Sequence, residues 1–129
     1  MDLANYFNKT EGLGVLATAD CEGNVDVAVY ARPHVMDDGS LAFIMRQGVS
    51  YHNVTANPKA AYLFVEKDHG YKGIRLYITR TREEIDPDLI ARLRRRHPGS
   101  GEPSAEEARL VIFRVDRTRP LTGDSHQQA

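Results

Sequence analysis

Arg46 closes the apolar run Leu41-Ala42-Phe43-Ile44-Met45, and Ser50 follows after Gln47-Gly48-Val49. A guanidinium beside the first turn of a helix is an arrangement for holding an anion such as a phosphate. Unpaired backbone N–H groups point outward there, and the helix dipole favours negative charge. Ser50 is the expected N-cap, with Val49 and Val54 placed for a hydrophobic staple. Pro58 disfavours helical geometry before it, so the helix ends by Asn57. The same spacing also fits an exposed arginine beside an ordinary cap. Arg75 lies on the more polar side of a strand with Tyr77 and Thr79. If that face meets the helix start, two arginines converge on one anion. Charge-assisted hydrogen bonds contribute roughly 1.5–3 kcal/mol each, whereas micromolar affinity needs about 8 kcal/mol. The remainder calls for a flat apolar wall, for which Val29, Ile44 and Met45 are available.

Other chemistries lack their residues. The chain has no G-x-S-x-G, H-E-x-x-H or P-loop sequence, and Gly12-Leu13-Gly14 lacks the third glycine of a dinucleotide fingerprint. Five histidines share no metal-ligand spacing and the single cysteine, Cys21, completes no zinc site, so no metal centre is expected. One axial histidine suffices for haem, which keeps His52 and His69 in view. The cluster Arg92, Arg94, Arg95 and Arg96 complements the C-terminal end of a helix dipole and has no interleaved aromatics for stacking on bases. With a net charge of −1 nothing global recruits nucleic acid or an anionic membrane. No apolar run is long enough to span a bilayer and no secretory signal is visible, which favours a cytoplasmic location. No side chain stands out as a catalytic acid or base; Tyr51 and His52 are the nearest candidates.

The elements that must position these residues follow from periodicity. The 129 residues, 41% hydrophobic and 27% charged, fit one globular domain over residues 1–122 with a disordered tail over 123–129. A short helix is expected over 2–10 with Leu3, Tyr6 and Phe7 on one side, then a strand over 13–19. The stretch 25–35 places Val25, Val27, Val29 and Ala31 on one face and Asp26, Ala28, Tyr30 and Arg32 on the other. Pro33 makes that strand an edge or an irregular one. Asp37-Asp38-Gly39-Ser40 is a hairpin turn into 41–46, so the first three strands read as an antiparallel meander. Strands over 60–65, 74–84 and 110–115 follow, with a helix from Asp86-Pro87 to about 97 carrying Leu89, Ile90 and Leu93. Ser104 and Glu107 match a capping box. Six mostly antiparallel strands with short helices predict a mainly β protein, as a small barrel or a β-sandwich.

The order GVLATAD, VDVAVYARPHVMDDGSLAFIMR, SYHNVTANPKAAYLFVE and GIRLYITRTREE resembles the pyridoxamine 5′-phosphate oxidase-like family of FMN-binding split barrels. The resemblance covers roughly residues 10–117. It implies a six-stranded antiparallel split barrel, a homodimer with FMN at the subunit interface, and a small-molecule electron donor or acceptor. It places the flavin ring and ribityl chain along Val29, Tyr30, Ala31 and Arg32, with Ile44 and Met45 flanking them. Arg46, Ser50 and Asn53 fall at the phosphate junction, and Arg75 where a polar residue reaches the cofactor. Many relatives carry basic residues where this chain has Val49-Ser50, and the C-terminal substrate segment with its tryptophan is absent, so vitamin B6 oxidation is not implied. A flavin carrier, a haem-binding barrel and a deazaflavin-dependent reductase are the alternatives.

Overall fold

The computed structural model describes residues 1–68, 70–96, 107–123 and 127–128. Asp2 caps α1 (Leu3–Lys9) by accepting from the Asn5 amide at 3.1 Å, and Phe7 on its inner face is buried. The strand β1 (Gly12–Ala19) pairs antiparallel with β2 (Val25–Val29), Val15 opposite Val29. The chain then leaves the sheet before Pro33, which has no amide to donate, and resumes as the two-residue β3 (His34–Val35). The hairpin through Asp37–Ser40 joins β3 to β4 (Leu41–Met45). After α2 (Val49–Ala56) come β5 (Lys59–Glu66), β6 (Gly73–Glu84), α3 (Pro87–Arg96), β7 (Arg109–Pro120) and β8 (Gln127–Gln128).

One antiparallel sheet carries the strands in the order β2-β1-β5-β6-β7-β4-β3, with β8 paired to β7. The expected count was six; β3 and β8 add two short strands. The expected meander resolves into two hairpins at opposite ends of the sheet path, because Pro33 lets the chain cross from one to the other. The last long strand runs to Pro120 rather than ending at residue 115, following β6 through irregularities at Tyr77/Ile78 and Arg80/Arg82. In the stretch expected to be a disordered tail, Gln127–Gln128 pairs with Arg117 and Thr118. The Ser104 capping box and the connector before it lie outside the described residues.

The sheet curls around an aromatic core. Phe7, Phe43, Tyr62, Phe64 and Phe113 are at most 2% exposed and meet mainly edge to face, with Phe43 and Phe113 centroids 5.7 Å apart. Burying each such ring contributes about 1.5–3 kcal/mol. Tyr62 also ties the sheet's open end inward, its phenol donating to the Tyr30 and Ala31 carbonyls at 3.1 and 3.2 Å. Gly14 is required for that approach, since a β-carbon there would overlap the Tyr62 phenol oxygen and the Tyr30 carbonyl. Among the described residues β2 and β4 share no ladder, so the barrel is split along that seam. The Tyr30 ring, edge-on to Phe43 at 6.0 Å, bridges it, and helix α2 lies against β1 and β2. A second cluster lies outside the barrel, where Ile90 and Leu93 of α3 pack on Ala42, Leu110 and Ile112.

Candidate functional site

The first turn of α2 differs from the other two helix starts. Asp2 caps α1, and Asp86 caps α3 by accepting from the Leu89 amide at 3.1 Å. α2 is capped by Gly48, which has no side chain to offer, so the amides of its first turn lack a side-chain acceptor. Ser50 is therefore not the N-cap expected of it. It is the second helical residue, nearly buried, and its hydroxyl lies close enough to the Tyr30 phenol to act on it. The staple fails with it, since Val49 is 62% exposed while Val54 is buried in the core. The helix ends as expected, with Asn57 as C-cap.

Arg46 stands just ahead of this turn, its carbonyl accepting from the Gly48 amide at 2.8 Å. Its charge reaches the Tyr30 phenol. Burial pushes the Tyr30 pKa up, while the Ser50 hydroxyl and the Arg46 guanidinium act in the opposite direction. Tyr30, Arg46 and Ser50 thus meet at one place, although β2 and β4 are far apart in the sheet order. Asn53 is engaged elsewhere, donating to the Thr18 hydroxyl at 3.0 Å and fixing α2 to β1.

Arg75 does not join them. Its Nε donates to the Pro120 carbonyl at 2.9 Å and its Nη2 to the Gly123 carbonyl at 2.5 Å. Arg119, its partner across β7, is ten residues from Arg109, the partner of Met45. That is roughly 30 Å along the strand. The apolar wall is also not the one expected. Met45 is fully buried in the core and Ile44 packs toward the α3 cluster, so neither side chain faces a ligand beside Arg46. Val29 does face outward, 70% exposed. Arg32 turns away from the seam, donating from Nη1 to the Phe7 and Thr10 carbonyls at 2.9 Å, and Ala31 beside it is exposed.

Two features escaped the sequence. Tyr51 donates to Glu83, with both carboxylate oxygens within 2.9 Å, and Arg80 and Arg109 flank the same carboxylate at 2.9 and 3.8 Å. This cluster pins the start of α2 to β6 and β7. The Glu83 hydrogen bond, aided by burial, raises the Tyr51 pKa and suits the phenol to anchoring rather than proton transfer. His52, next along the helix, is exposed; His69 lies outside the described residues. The local clue to the cluster is the run Arg80-Thr81-Arg82-Glu83-Glu84, but nothing in it names Tyr51 as partner.

The second feature is the outer face of β1, β2 and β5. The paired rows Val15–Val29 and Ala17–Val27 continue into Leu63 and Ala61. Val25, Val27 and Val29 are 81%, 67% and 70% exposed and Leu13 is 54% exposed. The valine side of β2 thus points out of the barrel and forms an exposed apolar face. Among the described residues no group of three or more metal-ligating side chains occurs, and no helix is long and apolar enough to cross a membrane.

No protein-family profile matches the chain, and no curated protein does. Solved structures do. An FMN-binding protein from Syntrophomonas wolfei subsp. wolfei superposes with a TM-score of 0.74 at 17% identity, covering 95% of this chain and 86% of that one. An F420 reductase gives a TM-score of 0.70 at 20% identity over 89% and 94%. A candidate pyridoxamine 5′-phosphate oxidase from Lactobacillus delbrueckii gives 0.64 at 21% over 92% and 90%. These superpositions show the architecture: this chain has the pyridoxamine 5′-phosphate oxidase-like split-barrel fold.

Proposed function

We propose that this protein is a homodimeric FMN-binding flavoprotein of oxidoreductase character. The observation that carries the reading is the meeting of Arg46 and Ser50 at an α2 start that no side chain caps. Those residues fit a phosphate: a guanidinium, a hydroxyl and backbone N–H groups are its natural donors. Arg46 would hold the phosphate, with Ser50 and the first-turn amides beside it. Val29 offers an apolar surface to the flavin ring, and the backbone of residues 29–32 lies next to it. Ile44 and Met45 would contribute through backbone only, Asn53 by fixing α2, and Arg75 not at all. Bound FMN supplies an N5 atom that exchanges hydride or electrons with a small-molecule donor and acceptor. Tyr51 is engaged by Glu83, so it would serve to orient α2 rather than to transfer a proton.

The exposed apolar face supports the dimer. Val25, Val27 and Val29 flank the proposed ring site, so a second copy docked on them would cover the flavin. A deazaflavin cofactor is the second reading, favoured by the similarity to an F420 reductase; it too joins a ring to a phosphate. Absorption spectroscopy of the purified protein, with mass spectrometry of the released ligand, tests both. The FMN reading expects a yellow protein with the two-band flavin spectrum and the mass of FMN. A colourless protein that FMN neither colours nor stabilises overturns it.

A further inference from the structure

Arg75, which takes no part at the α2 start, belongs to a different cluster. The ladders set Leu63, Arg75 and Arg119 side by side on the outer face of β5, β6 and β7, with Ala61, Tyr77 and Arg117 in the next row. The guanidiniums of Arg117 and Arg119 lie 4.3 and 5.2 Å from the centre of the Tyr77 ring, contacts that hold both over the sheet. Two neighbouring rows of one sheet face thus gather the guanidiniums of Arg75, Arg117 and Arg119. Like charges directly opposite each other across a ladder repel, and Arg75 and Arg119 are such a pair.

Among the described residues no carboxylate pairs with any of the three. Asp116, the one acid in β7, is taken by Thr79, Arg114 and Lys59. Glu83 and Glu84 lie at the far end of β6, and Glu66 is turned to the inner face of β5. Arg75 gives Nε and Nη2 to the carbonyls of Pro120 and Gly123, which fixes it in place without cancelling its charge. The Nε of Arg119 is shut off from water and has no hydrogen-bond partner. A charged donor in that state is costly, and an anion on the open side of the guanidinium would offset the cost. Arg117, Arg119, Ala61 and Leu63 are all partly exposed, so a ligand can reach them.

We propose that this face binds a small organic phosphate, with Arg117 and Arg119 holding the phosphate and Ala61 and Leu63 beneath its apolar body. The planar fork of an arginine matches a phosphate, and a dianion answers two unneutralised guanidiniums where a carboxylate answers one. Arg75 adds positive charge beside them. The inference does not depend on a flavin being bound at the α2 start.

Titration of the full chain with phenyl phosphate at neutral pH, followed by amide NMR, reads this face and the α2 start at different residues. Saturable shifts are expected at Leu63, Tyr77, Arg117 and Arg119, with an affinity roughly tenfold or more above that for phenol and also above that for inorganic phosphate, which lacks the ring. Arg119→Gln should weaken this binding by roughly tenfold and leave any response at Gly48–Ser50 unaltered; Arg117→Gln provides the same reading if Arg119→Gln folds poorly. No saturable shift at these residues, equal affinity for phenol, or unchanged affinity in both variants would overturn the proposal. So would tighter binding of FMN than of phenyl phosphate at these residues, which would make them part of the flavin's own site. Binding seen only in Val27→Glu would also overturn it, because a second copy would then cover the face.

Discussion

Arg75 gives its donors to the carbonyls of Pro120 and Gly123, whereas Arg46 borders the uncapped turn of α2 and bears on Tyr30. Removing the first guanidinium should cost local order near Gly123, and removing the second should cost anion affinity. Arg46→Ala is expected to weaken FMN binding by roughly tenfold or more, the equivalent of one charge-assisted hydrogen bond, while Arg75→Ala leaves it within about twofold. Fluorescence titration of the two variants checks the pair, and equal losses would contradict the assignment. Both arginines were legible as candidates because each ends or interrupts an apolar pattern. Their separation was not legible, because the partners of Arg75 are backbone groups more than forty residues away, which no local spacing encodes.

Asp116 gives this scale a pH signature. Burial pushes its pKa up, but hydrogen bonds from Thr79 and Arg114 and the charges of Arg114 and Lys59 outweigh that and hold it below the usual carboxylate value. A carboxyl depressed in the folded state contributes stability that is present above about pH 4 and lost as pH falls through the folded value. Asp116→Asn should therefore lower stability near neutrality by about 1 kcal/mol and flatten the acid limb. Urea midpoints measured from neutral to strongly acidic pH test this; an unchanged acid limb would refute it.

At the scale of elements, α2 is the piece on which the candidate site depends. It is tied to β1 through Asn53–Thr18 and to β6 and β7 through the Tyr51–Glu83 cluster. Glu83→Gln leaves Arg80 and Arg109 without a carboxylate in a half-buried setting. A loss of about 1–3 kcal/mol is expected, together with weaker FMN binding as the helix start loosens; denaturation and titration of the same variant read both. Gly14→Ala should cost at least as much, about 3 kcal/mol or more, because the added methyl meets the Tyr62 phenol and the Tyr30 carbonyl. The strands were legible wherever apolar and polar residues alternate, and Pro33 announced the break in the second. The helix start was misplaced by two residues because Ser50, a good capping type, lies beside Tyr30, a residue twenty positions earlier and adjacent only across the seam. The far half of β7 was hidden for a related reason. Arg117 and Arg119 look like loop residues in sequence, yet their guanidiniums lie over the Tyr77 ring at 4.3 and 5.2 Å.

For the whole molecule, the alternation in β2 was visible in the sequence but its direction was not. The valine face points away from the core, where the proposed second copy would cover it. Val27→Glu is expected to shift sedimentation from dimer to monomer with little effect on secondary structure; a variant that sediments unchanged would remove that face from the proposed interface. The succession of elements was legible because the alternating strands, the Asp-Asp-Gly turn and the Asn57-Pro58 helix stop are local signals; the order of the strands in the sheet was not, because pairing joins distant segments. The cofactor assignment rests on less, a single anion site, and one comparison tests it. FMN and riboflavin share ring and ribityl chain and differ in the phosphate alone. If Arg46, Ser50 and the first turn of α2 hold that phosphate, fluorescence titration will give FMN an affinity at least roughly tenfold above riboflavin's, with the difference abolished in Arg46→Ala. Equal affinities for the two flavins would contradict the account.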